Sequence, residues 1–390
     1  MKNILFVVDD KKMGGVSILL EDILNRLNLN KFNIDLLILK NEGELLSKIP
    51  SKINILYGDE FFYPINYSLS SAIKEKKLKK IIDKALLVLY MKTPIIKYII
   101  KSKRKKILKK QYDTELAFKD GFCGLFVGYG DSKRKVQWLH ADYSSQDDIQ
   151  NYKTKFKKLY KNFDRIVGIS KPVAKYFNDK YGCEDKTICI YNFVNTQKVI
   201  EKSNEYEIKK DSKKINFVSV GRFHKMKGYL RLIRVINKLN QNNEFNNCHL
   251  TIVGDGPEYN EAINLIKDYD IGDKITLIGS KQNPFPYVKN SDCFIMGSVY
   301  EPFGLTVIEA LTLKVPVLST EVATIREMLS KEYGLIVENS EKGLYNGFKK
   351  IINNKNLLKN YKKNVKNYQY DTKKIIKQIE NLLEGKLQNE

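Results

Sequence analysis

The sequence predicts an α/β protein made of doubly wound parallel sheets, and three observations support this prediction. Short apolar segments of strand length alternate with amphipathic helical segments along most of the 390 residues. Several of these strands end in glycine, which lets the backbone approach a ligand closely. The alternation occurs twice, and a polar, charged stretch at residues 192–214 separates the two runs. The sequence therefore predicts two parallel-sheet domains, one from each run.

The first run starts with residues 2–8, whose nearly continuous apolar character is typical of a buried parallel strand. Gly14 and Gly15 follow, and an amphipathic helix is expected from about residue 16 to 27. A strand, a glycine loop and a helix open a nucleotide-binding βαβ unit, although a glycine pair also occurs in ordinary tight turns. Further strands are expected at residues 33–39, 53–57, 114–118, 136–139 and 186–191.

One tenth of the chain holds much of its positive charge. The net charge is +23, and residues 72–110 contain fifteen Lys and Arg residues against two acidic ones. Clusters of Leu, Ile and Tyr interleave with these cations, which is typical of basic amphipathic helices that lie on an anionic membrane. The alternative is a solvated helical face whose apolar side packs into the core. The cations expected at the membrane include Lys101, Lys103, Arg104, Lys105 and Lys106.

Cysteine usage and the N-terminus favour a cytoplasmic protein. The five cysteines are scattered and contain no C-x-x-C pair, so disulfides and a cysteine metal site are not expected. The N-terminal residues fit a first strand better than a signal peptide, and no apolar window is long enough for a transmembrane helix. We therefore expect a cytoplasmic protein bound peripherally to the inner face of the membrane.

Two motifs stand at the carboxyl ends of predicted strands in the first run. WLHAD contains His140 and Asp142, and IVGIS ends in Ser170. Parallel sheets bind ligands at this end of their strands. A lone histidine is usually structural, but His140, one of three in the chain, is followed by polar residues and is a candidate for function.

The second run contains strands at residues 215–222, 250–258, 275–280, 293–298, 315–319 and 334–338. The fourth of these strands leads into the sequence YEPFGLTVIEALTL, residues 300–313. Pro302 places Glu301 on a loop, and Glu309 lies in or just beyond the first turn of the following helix. Gly304 allows backbone N–H groups to approach an anion at the helix N-terminus. The arrangement suits a sugar hydroxyl, a diphosphate and a ribose, although a capped helix with two solvated glutamates has the same pattern.

Arg222 and Lys227 flank a glycine-bounded turn after the first strand of this run. A diphosphate leaving group gains negative charge as its bond breaks, and an arginine fork and a lysine charge can stabilise it. In this role the two cations would do the work of a bound Mg²⁺. These residues therefore indicate a metal-independent reaction with no cofactor, although two solvated cations beside a turn would look the same.

Together the motifs resemble one family. GGV (14–16), IVGIS (166–170), VGRFHKMKG (220–228), VGDGP (253–257) and EPFGLTVIE (301–309) are similar, in this order, to the retaining nucleotide-sugar glycosyltransferases of the GT-B fold that share E-x7-E. The resemblance implies two facing Rossmann-like domains with a cleft between them. It implies an acceptor-binding domain at 1–195 with a basic insert at 72–110, a nucleotide-sugar-binding domain at 196–367, and a helix at 368–390 that returns to the first domain.

The resemblance also implies roles for single residues. Arg222 and Lys227 would hold the diphosphate, Glu309 would bind the ribose, and Glu301 would contact hydroxyls of the transferred sugar. His140 would approach the donor sugar. The implied catalytic residues are Glu301, His140, Arg222 and Lys227, and the implied donor-binding residues are Gly15, Arg222, Lys227, Gly254, Gly304, Leu305 and Glu309.

The expected function is transfer of a sugar from a nucleotide-sugar, a UDP-sugar in the first place, to a lipid-linked or oligosaccharide acceptor in bacterial surface polysaccharide synthesis, such as lipopolysaccharide or capsule. No second carboxylate is clearly placed at the anomeric carbon, so front-face substitution is favoured over a covalent intermediate. The alternatives are a soluble sucrose- or glycogen-type synthase or a nucleotide-sugar epimerase of the same fold. A basic nucleic-acid-binding protein is the alternative from another class, but no recognised binding motif supports it.

Overall fold

A computed structural model of the chain describes residues 1–10, 15–40, 49–140 and 158–386. The chain divides into two compact units. Unit 1 comprises Met1–Phe193 and Lys373–Glu390, and unit 2 comprises Val194–Thr372. Each unit contains a parallel β-sheet with helices, which confirms the predicted fold class of two Rossmann-like, doubly wound domains.

The sheet of unit 1 has seven parallel strands in the order β3-β2-β1-β4-β5-β6-β7. From β1 the chain builds the sheet first toward β3 and then, from β4, in the opposite direction. The point where the direction changes lies between β1 and β4, and parallel sheets bind ligands at this switch point. The strands are β1 (Lys2–Val8), β2 (Phe32–Ile38), β3 (Asn54–Tyr57), β4 (Thr114–Ala117), β5 (Arg134–Leu139), β6 (Arg165–Gly168) and β7 (Thr187–Cys189).

Helices and a buried aromatic core complete unit 1. Phe118 packs between Phe6 and Trp138, with ring centroids 6.3 and 5.4 Å away. The helices of unit 1 are α1 (Gly15–Leu24), α2 (Leu69–Lys74), α3 (Leu78–Lys92), α4 (Ile95–Ile107), α5 (Phe122–Gly128), α6 (Lys171–Tyr181) and, from the end of the chain, the last helix (Thr372–Glu384).

The last helix packs on the sheet of unit 1. Its buried residues Ile375, Ile379, Leu382 and Leu383 follow the spacing of one helical face. The Thr114 hydroxyl of β4 donates a hydrogen bond of 2.9 Å to the Leu383 carbonyl oxygen. The apolar stripe therefore explains why this distant segment joins the first unit.

The sheet of unit 2 has six parallel strands in the order β10-β9-β8-β11-β12-β13, so its switch point lies between β8 and β11. Phe217, Phe245 and Phe348 form its aromatic core, with ring centroids 5.1 to 6.0 Å apart. Its strands are β8 (Ile215–Val220), β9 (Cys248–Val253), β10 (Ile275–Gly279), β11 (Cys293–Met296), β12 (Val317–Thr320) and β13 (Gly334–Val337). Its helices are α7 (Thr196–Lys202), α8 (Tyr229–Gln241), α9 (Tyr259–Asp268), α10 (Phe285–Lys289), α11 (Leu305–Thr312), α12 (Ile325–Met328), α13 (Glu341–Asn353) and α14 (Lys355–Asn364), so the last helix is α15.

Helix α7 lies inside the stretch that the sequence analysis treated as a polar link. The Asn195 side chain caps it by accepting a hydrogen bond of 3.1 Å from the Lys198 backbone N–H. Val199 is its one buried residue. The sequence did not predict this helix, because a short polar helix with one core residue has no apolar periodicity to reveal it.

The basic segment at 72–110 covers the end of α2 and all of α3 and α4, and several of its cations have structural partners. The buried Arg104 guanidinium donates hydrogen bonds of 2.8 and 2.7 Å to the two carboxylate oxygens of Glu115 and one of 2.8 Å to the Phe126 carbonyl oxygen. Lys103 Nζ lies 2.5 Å from Asp59 Oδ2. The expectation that Arg104 faces a membrane is wrong, because spacing along the helix does not reveal the carboxylate on β4. The cations that remain exposed on α4 are Lys97, Lys101, Lys105 and Lys106.

Candidate functional site

The switch point of unit 2 brings together two of the predicted site residues. Lys227 lies in a 3₁₀ turn (Lys225–Lys227) after β8, and Glu301 lies in the loop after β11. The Lys227 Nζ and a Glu301 carboxylate oxygen form an ion pair in which Glu301 is largely shielded from solvent. The structure thus joins a cation predicted for the diphosphate to a carboxylate predicted for the sugar.

Backbone contacts fix the two loops that hold this pair. The Met226 carbonyl oxygen accepts hydrogen bonds from the N–H groups of Val299 at 2.8 Å and Tyr300 at 3.2 Å. The buried Thr324 hydroxyl donates a hydrogen bond of 3.1 Å to the Glu301 carbonyl oxygen. Because the loops are bonded on both sides, Lys227 and Glu301 occupy defined positions before any ligand arrives.

Gly304 ends the loop and begins helix α11. Its φ of +91° lies in the left-handed region, which favours glycine. Leu305 is the first residue of α11, and the half-buried Glu309 lies on the same helix. The sequence predicted Glu309 in or just beyond the first turn of a helix, and α11 places it at the start of its second turn.

Glycines allow the segments that follow β8 and β9 to pack closely together. A Cβ atom on Gly254 would lie 1.8 Å from the Gly221 carbonyl oxygen, and one on Gly256 would lie 2.5 Å from the Phe223 carbonyl oxygen. No side chain fits at either position, so glycine is required for the close packing of the two segments that follow β8 and β9. Arg222 follows Gly221 and is exposed; no acidic side chain lies within ion-pair distance of it in the described part of the chain.

Arg231 and Asn339 also support the Glu301 loop, and the sequence analysis did not identify them. The Arg231 guanidinium donates hydrogen bonds of 3.0 and 2.7 Å to the Gly297 carbonyl oxygen and one of 2.7 Å to Asn339 Oδ1. The Asn339 side-chain amide in turn donates a hydrogen bond of 2.9 Å to the Val299 carbonyl oxygen. Nothing in the local pattern reveals these contacts, because they join residues far apart in the chain.

The remaining predicted site residues belong to unit 1. Gly15 is the exposed first residue of α1, and His140 directly follows β5. Gly14 and Asp142 lie outside the described residues. Ser170 is fully buried and caps α6, with its hydroxyl accepting a hydrogen bond of 3.3 Å from the Val173 N–H. This structural role explains the IVGIS serine without a ligand.

Three polar residues at the switch point of unit 1 were missed. Lys119, just past β4, lies 2.5 Å from Asp9 Oδ1 and 3.3 Å from Asp10 Oδ1, just past β1. The two sheets therefore each place a lysine–carboxylate contact at the switch point. The rule that ligands bind beyond the carboxyl ends of parallel strands could have found this cluster, because DD and KD follow two predicted strands.

His140 is neutral at physiological pH. Its ring lies 4.8 Å from the Phe118 ring and is nearly parallel to the Trp138 ring at 6.3 Å. Burial lowers the pKa of His140 to about 3, and a hydrogen bond with the Phe118 backbone opposes this shift. A neutral imidazole can accept or donate a hydrogen bond but cannot serve as a cation here.

We expect unit 1 to lose stability as the pH falls from about 6.5 toward about 3, and the substitution His140→Gln to flatten this dependence. An unfolded histidine binds a proton near pH 6.5, whereas the folded His140 does not until about pH 3, so acid favours unfolding. The urea midpoint can be followed by the fluorescence of Trp138, the one tryptophan of the chain. Equal slopes in the wild type and the variant would contradict this assignment.

Comparison with known proteins adds to this geometry. Residues 201–368, which contain Lys227, Glu301 and Glu309, match the family described as Glycosyl transferases group 1. An uncharacterized glycosyltransferase of Methanocaldococcus jannaschii is 32% identical over 188 residues, which cover 46% of this chain and 45% of that protein. The chain thus aligns with less than half the length of this relative.

A longer alignment joins the chain to a Campylobacter jejuni protein, N-acetylgalactosamine-N,N'-diacetylbacillosaminyl-diphospho-undecaprenol 4-alpha-N-acetylgalactosaminyltransferase. It is 27% identical over 289 residues, covering 68% of this chain and 75% of that protein. Among solved structures, Anabaena HepE in complex with UDP and glucose superposes with a TM-score of 0.71 at 16% identity, covering 99% of this chain and 100% of HepE. At this identity the superposition shows the fold alone, which is GT-B. Together the comparisons support a glycosyltransferase.

None of the helices in the described part of the chain has both the length and the apolar sequence of a membrane span. Within residues 1–10, 15–40, 49–140 and 158–386, no group of three or more His, Cys, Asp and Glu side chains is arranged to hold a metal ion.

Proposed function

We propose that the chain is a retaining glycosyltransferase that takes a sugar from a nucleotide-sugar, in the first place a UDP-sugar. One observation carries the proposal: Lys227 and Glu301 meet at the switch point of the domain that matches the glycosyl transferases group 1 family. Ligands of parallel sheets bind at this point. The presence of UDP in the structure of HepE, which shares the fold, supports the choice of nucleotide.

In the proposed reaction, the chain acts mainly on the leaving diphosphate. The exposed Arg222 fork and the Lys227 ammonium would neutralise the charge that develops as the anomeric C–O bond breaks. The first-turn N–H groups of α11, which Gly304 leaves uncovered, would bind the diphosphate or the sugar. The leaving phosphate oxygen would then take the proton of the attacking hydroxyl on the same face, so no metal and no carboxylate nucleophile is required.

The ion pair of Glu301 with Lys227 suggests how the site is prepared for the donor. Without a ligand, Glu301 balances the Lys227 charge. An incoming diphosphate would take over Lys227, which releases the carboxylate to accept hydrogen bonds from hydroxyls of the transferred sugar. On donor binding, Lys227 would thus change its partner from Glu301 to the diphosphate, and Glu301 would change its partner from Lys227 to the sugar.

The proposed acceptor is a lipid-linked glycan of a surface polysaccharide, and the proposed location is the inner face of the membrane. The name of the Campylobacter jejuni relative includes a diphospho-undecaprenol, which supports a lipid-linked acceptor. The exposed lysines of α4 favour an anionic surface.

Binding and product analysis test this proposal. Thermal shift with UDP, GDP and ADP and their glucose and N-acetylhexosamine conjugates should select the UDP series, and mass spectrometry should find a hexosyl unit added to a polyprenyl-diphosphate acceptor. Liposome flotation and an RNA gel shift, performed at equal ionic strength, distinguish a membrane-bound glycosyltransferase from a nucleic-acid-binding protein. Stabilisation by RNA alone, without any response to nucleotides, would refute the proposal.

We expect Glu309→Gln to weaken UDP binding by about tenfold, the scale of one charged hydrogen bond. Glu301→Gln should instead lower the transfer rate by about tenfold and leave UDP binding equal or slightly tighter, because the Lys227 charge is no longer balanced. A sugar contact that strengthens in the transition state affects turnover, whereas a ribose contact is the same in substrate and product.

Calorimetry with UDP and steady-state kinetics measure these two effects. Glu341→Gln, which breaks a surface pair with Arg234, is the matched control in unit 2 and should change neither quantity. Wild-type UDP affinity in Glu309→Gln would disprove the assignment of Glu309 to the ribose.

A further inference from the structure

Large apolar side chains are exposed in one part of the protein far more than elsewhere. Of the seventeen exposed large apolar residues in the described part of the chain, ten lie between residues 57 and 98. Four of them belong to helix α3, and Leu78 and Leu89 are 70% and 56% exposed. Scattered exposed apolar residues are ordinary, but a cluster of this kind marks a surface that meets an apolar partner.

The exposed residues of α3 form a stripe along one face of the helix. The α3 stripe consists of Leu78, Ile82, Leu86 and Leu89, whose spacing of four, four and three residues places them one above another. Its length is about three turns. The stripe points away from the core, whereas a surface helix usually turns its apolar face inward.

The inner face of α3 holds polar groups as well as apolar ones. Leu87 and Met91 are buried there. Lys84 Nζ also lies on this side and donates a hydrogen bond of 2.8 Å to the Pro64 carbonyl oxygen. Lys80 Nζ lies 2.7 Å from Glu75 Oε2. Lys84 is therefore held against the fold and the Lys80–Glu75 pair lies at the surface, while the leucines on the opposite face stay exposed to solvent.

Exposed cations surround the stripe. Lys79 and Lys92, at the two ends of α3, are exposed and flank the α3 stripe. Residues 72–110 contain only two acidic residues, Glu75 and Asp83, and Glu75 is occupied by Lys80 and Lys77. Apolar side chains framed by lysines match the interface of an anionic bilayer, where acyl chains lie beneath negative headgroups.

We propose that the α3 stripe inserts into the surface of an anionic lipid bilayer, with the surrounding lysines on the headgroups. The inference deepens the proposed function, since it names the surface that would hold the enzyme beside a lipid-linked acceptor. A second copy of the chain is a poorer occupant. A symmetric interface through α3 would bring two lysine-rich segments together, and like charges would oppose the contact.

Vesicle flotation of the full-length protein tests the stripe. The probe is a vesicle of phosphatidylcholine with 30% phosphatidylglycerol, about a third anionic, at low and at high salt. We expect Ile82→Gln/Leu89→Gln to weaken binding by roughly a hundredfold at both salt concentrations, about tenfold for each aliphatic side chain. Lys79→Gln/Lys92→Gln should weaken binding only at low salt, because salt screens exposed charges.

A matched pair in unit 2 controls for loss of apolar surface in general. Ile200 and Ile263 are 47% and 44% exposed, similar to Ile82 at 49%. Ile200→Gln/Ile263→Gln should bind vesicles as the wild type does. Equal binding of the Ile82/Leu89 variant and the wild type would overturn the proposal. So would a wild-type dimer in sedimentation that this variant dissociates, because the stripe would then belong to a second copy.

Calorimetry with UDP, performed on the same variants, separates this inference from the proposed function. If the α3 variant binds UDP as the wild type does but leaves the vesicles, both stand. If all variants bind UDP and the wild type ignores vesicles, only the membrane inference fails. If none binds UDP, the proposed function fails whatever the vesicles show.

Discussion

The substitution Lys227→Ala should lower kcat/KM for sugar transfer by about 10²–10³-fold, the usual cost of removing one electrostatic contact to a developing charge. Arg222→Ala should have an effect of the same order. The reason is the proposed leaving group: a diphosphate without a metal has only these side chains and backbone N–H groups to stabilise it. The fold should remain intact, because Arg222 is exposed and the Lys227 head group contacts only Glu301 among the ion pairs of the described residues.

Lys225 and Arg234 provide matched controls. Lys225 lies in the same 3₁₀ turn as Lys227 and is exposed, and Arg234 pairs with Glu341 on the surface of α8. Ala at either position should leave kcat/KM within about twofold of the wild type, as expected of surface substitutions. Full activity of both Lys227→Ala and Arg222→Ala would refute their assignment to the leaving group, and loss of wild-type activity in EDTA would refute the metal-free mechanism.

A double-mutant cycle between Lys227 and Glu301 separates two roles of the carboxylate. If Glu301 serves mainly to hold Lys227, the double variant Lys227→Ala/Glu301→Gln should be no slower than Lys227→Ala. If Glu301 also binds the transferred sugar, the two losses should combine. We expect the second result, because the proposed exchange of partners gives Glu301 a sugar contact of its own.

Strands with continuous apolar sequence made the fold predictable. Residues 2–8 could only be a buried strand, and the structure confirms it as β1. Amphipathic helices such as α8 were equally clear, since Leu232, Ile236 and Leu239 repeat at helical spacing. The short helix α7 could not be found in this way, because one buried valine gives no period.

The candidate site was predictable where its parts are local in sequence. The loop of Glu301 and the turn of Lys227 were each recognisable from proline and glycine positions. Their direct pairing was not, because 74 residues separate them and only the strand order brings them together. The supporting contacts of Arg231 with Gly297 and Asn339 were hidden for the same reason. Strand order, which decides these contacts, depends on packing of the whole sheet.

Arg104 shows the same limit within the basic segment. By sequence it is one of four successive cations, KRKK at 103–106, and only its partners distinguish it. Its guanidinium binds Glu115 through both terminal nitrogens and stacks 4.8 Å from the centre of the Phe126 ring. A Cβ on Gly130 would lie 2.6 Å from Nη2, so a larger residue there would displace the guanidinium. The planar guanidinium suits this enclosed site, and the single ammonium of a lysine could not form the same paired hydrogen bonds.

The substitution Arg104→Met should therefore lower the free energy of unfolding of unit 1 by about 3–5 kcal/mol, because it leaves the buried Glu115 carboxylate unpaired. Urea unfolding followed by Trp138 fluorescence measures unit 1 directly, since the one tryptophan lies in β5. The neighbours Lys105 and Lys106 are exposed, so Met at either should change stability by no more than about 0.5 kcal/mol.

The loss in Arg104→Met should also depend on pH. Burial raises the pKa of Glu115, and the Arg104 guanidinium opposes this rise. Without Arg104 the pKa of the folded carboxyl rises further above its unfolded value, so the variant loses stability as the pH rises and recovers part of it toward pH 5. Glu115→Gln in the Arg104→Met background should restore part of the stability at neutral pH, because it removes the unpaired charge. A loss that is the same at pH 5 and pH 8 would mean that Arg104 contributes by packing alone.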